Sequence, residues 1–236
     1  MEFGFSDDLK RTIVTGVVNG YTDFLLRRKL FEEELLISSA FTWMKSNYID
    51  SSIARSIPEN VKYQIRQKAS WKYIVFDISH EGETYRFIMK PPAVFNSIKG
   101  SNYYLSKSVE VNEEVVKSRE FKKLFNIVDQ DVIDESFLVY NEIELFDSKD
   151  FDRFYIISYE ADVRKGIKSI EIYLPYEKSA YCVSVLTPLI DELGLSIPEE
   201  LLDSKNEDTQ VPEEPQFPNS DSYSRFNVVR SEKLEE

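Results

Sequence analysis

At Trp71 the apolar residues stop recurring every three or four positions and begin to alternate. A period near 3.6 buries one stripe of a helix, and a period of two buries one face of a strand. A chain that changes from one to the other commits its two parts to different secondary structure. The pattern predicts an α+β fold, with a helical N-terminal part packed on a mostly antiparallel sheet.

In the helical part, Ser6 followed by Asp7 and Asp8 supplies an N-cap with acids in the first turn. Leu9, Ile13, Val17, Tyr21 and Phe24 follow at helical spacing, while Gly16 and Gly20 weaken the propensity. A second helix is expected from near Glu32, with Leu36, Ala40, Trp43 and Met44 on one face. A third helical piece over Ser51–Lys68 is divided by Pro58.

Beyond Trp71, the stretches Trp71–Ser79 and Glu83–Lys90 read as a hairpin broken at His80-Glu81-Gly82 and ended by Pro91 and Pro92. With Gly82 in the left-handed position of a three-residue loop, Asp77 would face Tyr85, Val75 would face Phe87 and Tyr73 would face Met89. Both faces of that hairpin are largely apolar, which places it inside a covered sheet. A loop over Ala93–Lys107 leads to Asn112, expected to cap a helix with Glu113 and Glu114 in its first turn and Phe121, Leu124, Phe125 and Val128 on its apolar face. Phe137–Phe146 and Arg153–Asp162 read as strands. Ile167–Leu174 returns along the latter through Arg164-Lys165-Gly166 and is stopped by Pro175. Ala180–Leu193 starts like a strand and changes at Thr187-Pro188 to the opening of a short helix.

Residues 1–202 of the 236 form a single α+β domain on this reading, helical over 1–70 and sheet-rich over 71–202. Residues 203–236 carry nine acids against four bases and three of the nine prolines, so little apolar surface offsets the entropy of ordering and a disordered acidic tail is expected. Such a tail could bind a partner, admit a protease, or only solubilise. The single cysteine, Cys182, excludes an intramolecular disulfide. The first ten residues lack the apolar core of a signal peptide, and no apolar run approaches membrane-spanning length, so a cytoplasmic location is expected. Abundant Lys, Ile, Asn, Phe and Tyr with only seven Gly resembles coding from the AT-rich genome of a low-GC bacterium or its phages.

The candidate chemistry is narrow. A Cys–His pair would have to join Cys182 to His80, and Cys182 lies in an apolar run where a thiol behaves as a small core residue. One His and one Cys cannot close a zinc site, so no metal is assigned and no cofactor is expected. Asp77, Glu83 and Lys90 loosely resemble the Asp…Glu-x-Lys set of metal-dependent nucleases, although Glu83 and Lys90 are seven positions apart rather than two. These three are the catalytic candidates. Lys99-Gly100-Ser101 lacks the upstream glycine of a phosphate-binding loop.

A net charge of −13 argues against broad nucleic-acid binding but leaves room for local basic patches. Lys62, Arg66, Lys68 and Lys72 form one, beside Ser52–Ile57, which resembles the first half of a helix-turn-helix. Lys90, Lys99 and Lys107, interleaved with Phe95, Tyr103 and Tyr104, form another that could stack on single-stranded bases.

The order of elements resembles a family of small toxins on mobile elements of Gram-positive bacteria, kept in check by a metallopeptidase-like repressor and sensitive to the ClpXP protease. The resembling parts are the helical start, the strands Trp71–Ile78 and Tyr85–Pro92 with Met89-Lys90-Pro91-Pro92, and the closing hairpin from Tyr159-Glu160-Ala161-Asp162 to Ser169–Pro175. The resemblance spans roughly residues 1–200 and carries over no functional residue. It implies a growth-inhibiting effector of a toxin–antitoxin module, acting through a protein partner that is a co-encoded antitoxin or a host target. A metal-dependent nuclease and a DNA-binding regulatory protein are the alternatives.

Overall fold

A computed structural model describes residues 5–34, 41, 44–68, 71–80, 82–91, 110–127, 150–176, 179–203 and 227–231. Helices at the N-terminus, α1 (Asp7–Glu34) and α2 (Lys45–Ser56), precede strands β1 (Val61–Lys68), β2 (Trp71–His80) and β3 (Glu83–Lys90). Short helices α3 (Glu113–Lys117) and α4 (Arg119–Leu124) lead to β4 (Arg153–Asp162), β5 (Gly166–Tyr176) and β6 (Ser179–Val185). A short helix α5 (Leu189–Glu192) and the strand β7 (Asn227–Arg230) follow. The seven strands lie in chain order in one sheet. Neighbours are antiparallel except for the parallel pairs β3/β4 and β6/β7. This is the expected α+β class. No described helix is long and apolar enough to cross a membrane.

All five apolar residues read from the sequence of α1 are buried. The helix runs through Glu32, where a second was expected to start, because Leu26 to Glu34 contains no breaker and Arg28 pairs with Glu32 one turn on (2.7 Å). The second helix begins instead at Lys45, and Met44 ahead of it is 40% exposed rather than on a core face. Leu36, Ala40 and Trp43 lie outside the described residues.

Gly16 and Gly20, which lower the helix propensity, are what seats α2. The helices run antiparallel, with Gly16 against Ile53 and Gly20 against Ile49. A Cβ at Gly20 would sit 2.7 Å from the Ile49 Cα and 2.8 Å from the Tyr48 carbonyl oxygen. At Gly16 it would sit 2.6 Å from the Ile53 Cγ1 and 2.9 Å from its Cα. Two glycines one turn apart thus clear a groove for the facing backbone.

Of the expected Ser51–Lys68 helix, only Ser51–Ser56 is helical. Pro58 ends α2 with Ile57 extended, and the alternating Val61-Lys62-Tyr63-Gln64-Ile65-Arg66-Gln67-Lys68 forms β1. The change of period therefore comes at Val61, ten residues before Trp71. The β2/β3 hairpin lies where expected, but its turn holds two residues and pairs His80 with Glu83. The register shifts by one: Asp77 faces Arg86 rather than Tyr85, and Phe87 faces Phe76 rather than Val75. A one-residue shift exchanges faces, and the two phenyl rings stack at 4.6 Å beneath the helices.

The helical layer covers one face of the sheet, where Leu9, Ile13, Val17 and Tyr21 share a core with Phe76, Phe87, Tyr155, Ile157 and Ile170. A smaller cluster of Val75, Ile88, Phe151, Phe154, Ile156, Tyr173, Ala180 and Cys182 occupies the other face. The hairpin is thus buried on both sides, as its composition predicts.

Asn112 stands at the N-cap position of α3 but makes no capping bond, and that helix breaks at Ser118, whose hydroxyl accepts from the Phe121 N–H (3.3 Å). The Asn112 amide is used in the sheet. Strand β5 continues through Pro175 to Tyr176, and Pro175 has no N–H to offer Phe154 across the ladder. Asn112 Nδ2 donates to the carbonyls of Phe154 (2.8 Å) and Pro175 (2.7 Å), and its Oδ1 accepts from the Phe154 N–H (3.0 Å). The side chain supplies the donor that proline removes, so the strand does not stop there.

The Arg164–Gly166 turn forms as expected, with Asp162 Oδ1 accepting from the Arg164 and Lys165 N–H groups and Gly166 at φ 77°. The strand-then-helix reading of 180–193 also holds, with Pro188 opening α5. Within the segment expected to be disordered, residues 227–230 are instead β7, and Ser231 is buried. Arg230 reaches Glu171 at 2.6 Å, and the Tyr173 hydroxyl donates to the same carboxylate at 2.5 Å. The expected strand Phe137–Phe146 and the loop Ala93–Lys107 lie outside the described residues.

Helix propensity alone predicts that Gly20→Ala stabilises the chain by about 1 kcal/mol. The packing predicts the opposite, a loss of about 1–3 kcal/mol from forcing the helices apart. Urea midpoints of the two proteins decide between them.

Candidate functional site

The edge of the sheet formed by β1, β2 and β3 gathers more of the candidate residues than any other region. Strand β1 pairs with β2 without interruption from Val61↔Ile78 to Lys68↔Trp71. Among the described residues it has no neighbour on its other side. Lys62, Gln64 and Arg66 share one face by register, and Val61, Tyr63, Ile65 and Gln67 share the opposite face, while the side chain of Lys68 lies outside what the structure describes. Val61 is buried under the helical layer, whereas Tyr63 is 50% and Ile65 64% exposed.

Asp77 is not available to a metal. Arg86, 1% exposed, grips it through both oxygens, Nε to Oδ1 at 2.6 Å and Nη2 to Oδ2 at 2.9 Å. The Phe151 ring packs 4.3 Å from that guanidinium. This two-pronged geometry is among the strongest neutralising contacts a carboxylate makes. Glu83 accepts from the Tyr85 hydroxyl at 2.8 Å and pairs with Arg153 at 2.8 Å. Lys90 ends the same strand, about 23 Å away at the usual rise of an extended chain. The three catalytic candidates are thus not brought together, and no group of three or more His, Cys, Asp or Glu suited to a metal occurs among the described residues.

Lys90 has a different neighbourhood. Its Nζ lies 5.8 Å from the centre of the Tyr73 ring, opposite Arg66 on β1. Asp50 on α2 is its charge partner. Asp50 Oδ1 is buried without a hydrogen-bond donor. Burial raises the Asp50 carboxyl to about 7, with the Lys90 charge pulling the other way. Burial lowers the Lys90 ammonium, opposed by Asp50. A carboxyl raised in the folded state favours folding at low pH, and that contribution is lost as pH rises from about 4 to about 7.

The remaining candidates separate. Lys62 is exposed, and Arg66 is half-buried with its Nε enclosed and unbonded. Ser52–Ile57 ends α2 and leads into a strand, so no second helix completes a helix-turn-helix. Lys99, Lys107, Phe95, Tyr103 and Tyr104 lie outside the described residues. Cys182 is buried, and burial first, then the Glu171 charge, raises its thiol to about 12. His80 ends β2, four strands or about 19 Å across the sheet from β6. A polar cleft of about 450 Å³ between α1 and α2 is lined by Asn19, Thr22, Asp23, Ser52, Arg55 and Ser56. The Thr22 and Ser56 hydroxyls donate back to the Val18 and Ser52 carbonyls, which leaves the cleft little that converges.

Comparison with protein-family models, with curated proteins and with solved structures finds no match to this chain.

Two outcomes follow. Asp77→Asn leaves Arg86 buried opposite a neutral group and lowers stability by about 3–5 kcal/mol, read by denaturant unfolding. A ligand-only role for Asp77 would leave stability unchanged. Carboxyl-carbon NMR is expected to find Asp50 titrating near 7 rather than near 4, and Lys90→Met is expected to move it further up by removing the opposing charge.

Proposed function

We propose that the chain is a growth-inhibiting effector, a toxin of a phage or mobile-element module, that works in the cytoplasm by binding another protein. The binding part of this reading is supported by one observation above the rest. Among the described residues, strand β1 is an eight-residue edge in unbroken register, with two large apolar side chains turned to solvent. A long open edge of this kind is a template on which a partner adds a strand, with main-chain bonds giving affinity and alternate side chains giving selectivity. The inhibitory consequence rests on the resemblance of the helical start, the Trp71–Ile78 and Tyr85–Pro92 strands and the closing hairpin to the mobile-element toxin family.

The alternatives draw less. A nuclease would need Asp77 free of Arg86 and Glu83 close to Lys90. A DNA-binding regulator of the helix-turn-helix type would need a recognition helix where the chain has β1.

Growth under tight induction tests the reading. The wild-type chain is expected to arrest a low-GC Gram-positive host. Ile65→Lys, which puts a charge on the apolar strip without touching the core, is expected to relieve the arrest at equal soluble level. Unimpaired growth with abundant soluble wild-type protein overturns it.

A further inference from the structure

The partner that β1 accepts can be described chemically, and this step rests on the protein-binding reading above. The Ser79 N–H donates to the Asn60 carbonyl (3.4 Å), so those two residues form a hydrogen-bonded pair at the head of the β1/β2 ladder. In an antiparallel ladder such pairs alternate. Lys62, Gln64 and Arg66 therefore turn their N–H and C=O toward β2, while Tyr63 and Ile65 turn theirs outward. The Val61 N–H fits this alternation, bonding away from β2 to the Pro58 carbonyl (2.9 Å). Among the described residues, the outward main-chain groups without a strand partner thus belong to the same residues whose apolar side chains are exposed.

The other face of the strand is basic in a chain whose net charge is −13. The acid nearest in register is Asp77, opposite Lys62, and Arg86 holds both its oxygens. Arg66 stands opposite Tyr73, and its enclosed Nε has no acceptor. Neither Lys62 nor Arg66 forms an ion pair among the described residues. Their spacing of four places two uncompensated cations on one side of a strand, about 13 Å apart.

We propose that the β1 edge takes up an extended acidic segment of another polypeptide, with carboxylates at alternate positions over Lys62 and Arg66 and apolar side chains between them over Tyr63 and Ile65. A second copy of this chain fits poorly. Two β1 strands related by a two-fold axis normal to the sheet set each face against itself, so the cations would meet cations. A nucleic acid could answer the two cations but leaves the outward N–H groups of Tyr63 and Ile65 and their apolar side chains unused.

The test uses the full chain and a fluorescein-labelled peptide, Thr-Val-Glu-Val-Glu-Val-Glu-Val-Thr, followed by anisotropy. The same peptide with Lys in place of Glu and a single-stranded oligonucleotide serve as comparisons. The Glu peptide is expected to bind more tightly than the Lys peptide by at least about tenfold, with the difference shrinking as salt is raised. Ile65→Pro, which deletes an outward N–H and leaves the β2 ladder intact, is expected to lose that binding, while Ile65→Thr retains most of it. Lys62→Glu is expected to shift preference toward the Lys peptide, a change that misfolding cannot produce. Equal binding of the two peptides, no binding of either, or preference for the oligonucleotide overturns the inference. The growth assay separates the two readings. Arrest relieved by Ile65→Lys without Glu-peptide binding removes the acidic partner and leaves the effector. Glu-peptide binding without arrest removes the effector and leaves the acidic partner.

Discussion

The fold depends on the parallel seam between β3 and β4. Strands β1 to β3 are joined by short turns, and so are β4 to β6, and among the described residues the two groups pair as strands where Tyr85–Lys90 runs beside Arg153–Ser158. Sixty-two residues separate the end of β3 from the start of β4. Closing a connection of that length costs entropy before any contact is gained. Polar contacts concentrate at the head of the seam. The Thr84 N–H donates to Asp152 Oδ2 (2.7 Å), the Asp152 N–H donates to the Thr84 carbonyl (2.8 Å), and Glu83 pairs with Arg153. Phe151 then reaches back over Arg86, so the buried Asp77–Arg86 pair is covered by a residue from the far side of the connection. On the helical face, Phe5 touches both Phe87 of β3 and Tyr155 of β4. The seam is therefore clamped on both faces of the sheet.

The local parts of this architecture were legible in the sequence. The α1 stripe, the two hairpins and the strand-to-helix change at Thr187-Pro188 follow from periodicity and turn residues acting over a few positions. The errors arise where a distant residue overrides a local preference. Gly16 and Gly20 read as weak helix formers because nothing within α1 reveals that the α2 backbone lies on them. Pro175 read as a stop because its missing donor is supplied from Asn112, 63 positions earlier. The hairpin register turned on whether the loop held two residues or three, and the wrong choice placed Asp77 opposite a tyrosine instead of an arginine. The edge strand β1 alternates, but it follows the helical Ser51–Ser56 so closely that the two read as one helical piece divided by Pro58.

The candidate site was less legible than the fold for the same reason. Asp77 stood out as an acid among apolar neighbours, yet its meaning depended on Arg86, which only the correct register brings beside it. Lys90 was singled out for the wrong companions. Its charge partner, Asp50, lies forty residues away on a helix, and no spacing rule connects them. The Glu171, Tyr173 and Arg230 cluster was missed altogether, because Arg230 sits in a stretch whose average composition hides one short strand.

Asn112 carries a chemical consequence. Its Nδ2 points both hydrogens at carbonyl oxygens, so the orientation of the amide is fixed by its surroundings. Hydrolysis of that amide to a carboxylate would exchange one NH₂ for an oxygen and turn two attractive contacts into lone pairs facing lone pairs. The change is of one atom group, but it falls where β4 and β5 have no main-chain bond to replace it. Ageing chemistry at this side chain would therefore unfasten the sheet from within, while the same event at an exposed asparagine would add only a surface charge.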